Sequence, residues 1–171
     1  MLLAKKKLQN NIAEYLLYMY QTEDLMRSYD MDIERIDQNL ISLLPCDKSE
    51  KEELKQWYTS IIDQIKKEGI ENSGHLKAVK KITDQLYSLY CELKKEDPTF
   101  GKIVANASLL LTNTSTDNEV EQCLKGMYAY LILKTDHTPL PEKTEKSAEI
   151  YGEVLGYLNY KYQKAHFIND N

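Results

Sequence analysis

Little in this chain breaks a helix. Its 171 residues hold only four prolines and six glycines. It has neither an Asn-Gly hairpin turn nor any sustained alternation of apolar and polar residues, so no strand is signalled. Three cysteines, Cys46, Cys91 and Cys123, are odd in number, far apart and outside any C-x-x-C pattern. That excludes a disulfide framework or a cysteine zinc site and predicts small buried thiols in a reducing compartment. Of the three histidines, none has a glutamate three residues before it, where Asn72, Lys134 and Gln163 stand ahead of His75, His137 and His166. Helical di-iron centres need Glu-x-x-His and zinc peptidases H-E-x-x-H, so neither a metal site nor a cofactor is expected. No G-x-S-x-G elbow frames a serine, which leaves a hydrolase triad without support.

A basic excess is lacking too. The net charge is −5 and is spread evenly, with 15 basic and 17 acidic side chains in residues 1–96 and 7 and 10 in the remainder. Nucleic acid is therefore not an expected partner. A helix-turn-helix over residues 32–68 conflicts with the acidic balance from Asp30 to Asp63. Lys5-Lys6-Lys7 and Lys77, Lys80, Lys81 read as solvated faces. The longest apolar run, Met127 to Leu133, falls far short of the roughly 20 residues that span a bilayer. No apolar stretch follows the N-terminal lysines to make a signal peptide. These absences place the protein in the cytoplasm, away from membranes.

What is present is helical periodicity, centred on Asn11 to Tyr29. From Tyr15 to Tyr20 every residue is apolar or aromatic, so all faces of that helix prefer burial and it must be surrounded. The turn Gln21-Thr22-Glu23-Asp24 is polar, Leu25 and Met26 return to the pattern, and Arg27 lies within pairing reach of Glu23 and Asp24. Further helices are predicted over residues 32–44, 49–68, 76–95, 98–111, 118–134 and 141–167. Pro45, Gly69 and Asp97-Pro98 act as stops, and Ser49/Glu52 and Thr116/Glu119 as capping boxes. The fold class is all-α, a single domain over residues 1–171 built as a bundle of six or seven helices with the first long helix central. Residues 1–9 and 166–171 read as frayed ends and 112–118 as a mobile loop.

Three features carry candidate chemistry. Glu14, Tyr18, Gln21, Glu23, Asp24 and Arg27 on the first long helix read either as a ligand pocket or as a network that caps neighbouring helices and fixes their register. Ser73-Gly74-His75, at the start of the helix over 76–95, reads as an anion site or, more simply, as Ser73 in an N-cap or turn position with His75 beside it. Thirteen tyrosines against two phenylalanines and one tryptophan favour half-buried positions and interfaces. In the last helix Tyr151, Gly152, Gly156 and Tyr160 form a candidate interface. A mid-helix glycine costs about 1 kcal/mol relative to alanine, and close approach of another helix, through Gly126 or from a second subunit, would offset it.

Asn11-Ile12-Ala13-Glu14-Tyr15 continuing to Glu23-Asp24-Leu25-Met26-Arg27, together with Glu68-Gly69-Ile70 and Ser73-Gly74-His75-Leu76, resembles a family of uncharacterised all-helical proteins. That family is a domain of unknown function from Bacteroides-like gut bacteria. The resemblance covers nearly the whole chain, implies an all-helical fold and brings no catalytic residue with it. The reading that follows is a non-catalytic helical protein that self-associates and binds or scaffolds a protein partner. The alternative is a small-molecule-binding protein or enzyme with a polar pocket along the first long helix, approached by His75.

Overall fold

The apolar run at residues 15–20 ends where a helix without a polar face has to be, in the middle. The computed structural model describes residues 2–111, 117–135 and 139–167. Helix α2 (Ile12–Ser28) touches α1 (Leu2–Asn10), α4 (Lys48–Glu68), α5 (Lys77–Glu96), α7 (Glu119–Thr135) and α8 (Glu142–Phe167). Its Ile12, Leu16, Leu17, Met19, Tyr20 and Met26 are buried and cover about half of its circumference, while Glu14 and Gln21 on the remaining face are exposed. Two smaller helices, α3 (Ile33–Asn39) and α6 (Pro98–Ala107), and a 3-10 turn at Ile41–Leu43 complete the described residues, which contain no strand.

The described residues form eight α-helices where six or seven were expected; one local event adds a helix and a second shortens one. At Asn11 the backbone is extended, with φ −155° and ψ 100°, and Oδ1 accepts the Glu14 N–H. Asn11 therefore caps α2 and separates it from α1, so residues read as a frayed end form a helix whose Ala4 is buried. The helix predicted over residues 32–44 breaks at Leu40, where φ is −132°. Ile36 and Ile41 are both fully buried, yet in one continuous helix they would point about 140° apart. The break lets both reach the core. Two capping boxes also sit elsewhere than predicted. Asp47 and Glu50 exchange bonds ahead of α4, and Asn118 and Glu121 do so ahead of α7. Of the loop expected over 112–118, residues 112–116 lie outside the described residues.

Between α2 and α3 the chain turns through two consecutive left-handed residues that are not glycine, Asp30 at φ 54° and Met31 at φ 58°. That conformation is costly for a residue with a Cβ. Two compensations are visible: Met31 donates its N–H to the Met26 carbonyl at 2.9 Å and is only 8% exposed in the core.

Two tertiary ties hold α8 in place. Gly126 on α7 lies under the Tyr151 ring so closely that an added Cβ would fall 2.2 to 2.9 Å from three ring carbons. The second tie is Asp97. Its Oδ1 accepts the N–H groups of Thr99 and Phe100 and so caps α6. Its Oδ2 accepts Tyr157 Oη–H at 2.8 Å and pairs with Lys161 Nζ at 2.7 Å. Lys161, then Tyr157 and the two amides, hold the Asp97 carboxyl well below the usual carboxylate range.

Gly126→Ala is expected to lose about 1–3 kcal/mol in thermal or urea denaturation, because the Tyr151 ring must leave its rotamer. Gly101→Ala, whose Cβ would meet nothing within 4 Å, is expected to gain up to about 1 kcal/mol in the same assay. Because the folded-state pKa of Asp97 is depressed, its contribution is complete above the ordinary aspartate pKa of about 4 and fades as pH falls below it. Asp97→Asn should therefore lower Tm at pH 7, and its Tm difference from wild type should shrink as pH drops from 4 toward 2.

Candidate functional site

Helix α5 begins without a cap of its own. Its N-cap position is Leu76, which offers no side-chain bond, and its first turn contains no acidic residue. The free amides are taken by carboxylates from other helices. Glu68, at the end of α4, accepts Lys77 N–H at 2.8 Å. Glu23, from the middle of α2, accepts Leu76 N–H on Oε1 at 2.9 Å. The second Glu23 oxygen lies 2.6 Å from His75 Nδ1, and Glu23 is fully buried. An unpaired carboxylate in that position would cost several kcal/mol. Here both oxygens have partners and the charge faces the positive end of a helix. Ser73, expected either to cap α5 or to stand in the turn before it, does not cap it and lies exposed in a bend of the connection.

Arg27 fastens the same connection one turn further along α2. Its Nη2 donates to the carbonyls of Ile70 and Gly74, while Nη1 pairs with Asp24 Oδ1 at 2.9 Å. Arg27 Nε, also buried, has no partner among the described residues. The other Asp24 oxygen accepts Tyr128 Oη–H from α7 at 2.7 Å. Burial foremost, and the bond to Asp24 next, push the Tyr128 phenol up. The His75 ring stacks on Tyr20 with centroids 3.7 Å apart, and Tyr128 meets Tyr20 edge-on at 5.9 Å. Glu23, Asp24, Arg27 and His75 thus join α2, the 69–76 connection and α7.

The remaining predicted members lie elsewhere. At 100° per residue Glu23 points about 180° away from Glu14, with Tyr18 and Gln21 close to the Glu14 direction. Glu14 is exposed, bonds Asn11 Nδ2 at 3.0 Å and pairs with Lys7 at 2.8 Å. Tyr18 stacks against Trp57 of α4, centroids 5.9 Å apart, and burial raises its phenol pKa. Gln21 is exposed. These three therefore do not line a pocket with Glu23. Of the interface candidates, Tyr151 is used within the chain against Gly126, and an added Cβ on Gly152 would meet Met127 Cε at 3.2 Å. Gly156 and Tyr160 face outward. The side chains of His137 and His166 lie outside the described residues. Among those described, no group of three His, Cys, Asp or Glu side chains is placed to hold a metal.

Sequence reasoning missed the cleft in front of His75. It holds about 200 Å³ and is walled by Tyr20, Gly74, His75, Lys80, Thr83, Asp117, Glu121 and Lys125. Tyr20 was within reach of the pattern, since it precedes Glu23, Asp24 and Arg27 by three, four and seven residues. The walls from α5 and α7 share no spacing with it and converge only in three dimensions.

The fold and this cluster define an all-helical bundle protein with an internal carboxylate–imidazole pair and no metal-type ligand set among the described residues. No described helix is long and apolar enough to cross a membrane. The chain belongs to the family described as Domain of unknown function (DUF4924), whose model matches residues 1–167. No curated protein and no solved structure matches it.

Glu23→Ala strands both the Leu76 amide and His75, and it is expected to cost about 3 kcal/mol in urea denaturation. Amide exchange across residues 69–76 should accelerate with it. Glu23→Gln keeps an acceptor for Leu76 and lets the imidazole switch tautomer, so it should cost clearly less than the alanine variant. Equal losses for the two variants would mean that the negative charge itself, and not the volume or the acceptor that glutamine keeps, is what the site requires.

Proposed function

We propose that the protein is a non-catalytic helical association module that pairs with a second copy of itself through α8. The observation that carries this reading is Gly156. It sits in mid-helix, faces outward, and an added Cβ there would meet nothing within 4 Å. Among the described residues nothing approaches it closely enough to offset its helix-propensity cost of about 1 kcal/mol. It forms part of the floor of an apolar groove of about 300 Å³ between α2, α7 and α8, together with Ala13, Leu17, Leu131 and Leu155. One turn beyond it, Tyr160 is 57% exposed. One helix therefore carries a hole and, four residues on, an aromatic knob, which is the self-complementary arrangement a two-fold contact requires. Ile132 and Leu133 on α7 are 50% and 45% exposed as well. Aromatic anchors seated in apolar pockets dominate interface energies.

Three unpaired cysteines, Cys46, Cys91 and Cys123, support a reducing, cytoplasmic setting as part of the same proposal. The Bacteroides-like bacterial source implied by the resemblance belongs to it as well.

Native mass spectrometry and sedimentation at about 100 µM should give a dimer, a modest requirement for a specific interface. Tyr160→Glu places a charge at the proposed contact without touching the core. It should yield a monomer with unchanged helicity. A wild-type monomer at that concentration, or a dimer unaffected by Tyr160→Glu, would end the proposal.

A further inference from the structure

The cleft in front of His75 lies on a different surface from the proposed dimer contact and is built from different residues. Its floor is rigid. Tyr20 and Thr83 are 3% and 2% exposed, Thr83 Oγ–H donates to the Val79 carbonyl of its own helix at 3.1 Å, and the imidazole lies flat on the Tyr20 ring. The ring's orientation is fixed from behind. Because Glu23 accepts on the Nδ1 side, the neutral imidazole carries its proton there. Its Nε2 then presents a lone pair and has no protein partner among the described residues. A buried carboxylate that sets the tautomer of a partly exposed histidine leaves the far nitrogen free to meet a ligand.

The charges around this floor are of both signs. Lys125 is matched by Asp117 at 2.6 Å. Lys80 lines the cleft and has no ion-pair partner among the described residues. Glu121 uses Oε2 to accept Asn118 N–H, and its Oε1 has no partner among the described residues. A multiply charged anion would be repelled by Glu121 and Asp117, with Glu23 behind them. A simple cation would be repelled by Lys80 and Lys125. A volume of about 200 Å³ is below the ~300 Å³ at which drug-sized sites begin.

We propose that this cleft binds a small zwitterion of amino-acid size, with Lys80 taking its carboxylate and His75 Nε2 together with Glu121 accepting from its ammonium group. Neither half of such a ligand would suffice, since each alone meets a like charge and leaves one wall unsatisfied.

The test is a thermal-shift and calorimetric titration of the full chain with the standard amino acids, acetate, methylammonium and inorganic phosphate. At least one amino acid should raise Tm saturably, by about 5 °C or more at one hundred times its dissociation constant, while acetate and methylammonium should not. Lys80→Ala should leave the ligand-free Tm unchanged and weaken binding tenfold or more. Glu121→Gln is the second variant, and it should also weaken binding while keeping an oxygen for its cap. The proposal is overturned if no amino acid gives saturable binding up to about 10 mM, a Kd range in which binding is already weaker than about −3 kcal/mol. It is also overturned if the Lys80→Ala protein responds as wild type does, or if phosphate alone produces a shift that Lys80→Ala removes. Repeating the titration in Tyr160→Glu separates it from the dimer: binding should persist there whatever the subunit number.

Discussion

Glu23 is a charged side chain with no access to water, and most of the arrangement around it follows from how its two oxygens are satisfied. One takes the amide of Leu76, the N-cap residue of α5, and the other takes His75. The N-terminus of α5 must therefore lie against the middle of α2, and the 69–76 connection must fold back to bring it there. Gly69 at φ 69° ends α4 in the left-handed conformation that lets the chain reverse, and Arg27 then clamps the connection by the carbonyls of Ile70 and Gly74. A hydrophobic substitute at position 23 could be buried with less desolvation, but it would leave the α5 amides unpaired. The buried charge sets the register between two helices.

The opposite side of the bundle is organised by shape. Gly126 admits the Tyr151 ring between α7 and α8, and Asp97 ties α6 and α8 together below it. Phe100 is enclosed by Tyr90 and Tyr157, each with centroids 5.4 Å from it. The abundance of tyrosine has a physical reason here. The phenols of Tyr128 and Tyr157 each end on a carboxylate from another helix, so each ring contributes apolar area inside and a directional bond at the boundary. Phenylalanine could supply only the first.

These two modes of construction leave two surfaces of different character. The apolar groove over Gly156 has small residues at its floor and an aromatic ring one turn away, which suits another helix. The cleft at His75 is small, rigid and charged with both signs, which suits a small polar molecule. The two proposals rest on different residues and can fail separately.

The all-helical class, the central place of the first long helix and the close approach at Gly126 were legible from the sequence, because hydrophobic period and mid-helix glycine are local signals of what a segment must bury. Pairing within reach of Arg27 was legible for Asp24 on the same ground. Glu14, Tyr18 and Gln21 misled because spacing of three and four residues shows that side chains share a face but not what that face meets. The Leu40 break was invisible in the local pattern, since it answers to where Ile36 and Ile41 find the core. The trans cap of α5 by Glu23 joins residues more than fifty positions apart, and the cleft adds α7 residues more than a hundred positions from Tyr20. No periodicity encodes such a meeting. It exists only once α2, α5 and α7 have packed, because hydrogen bonds and charge pairing depend on distances that packing alone sets.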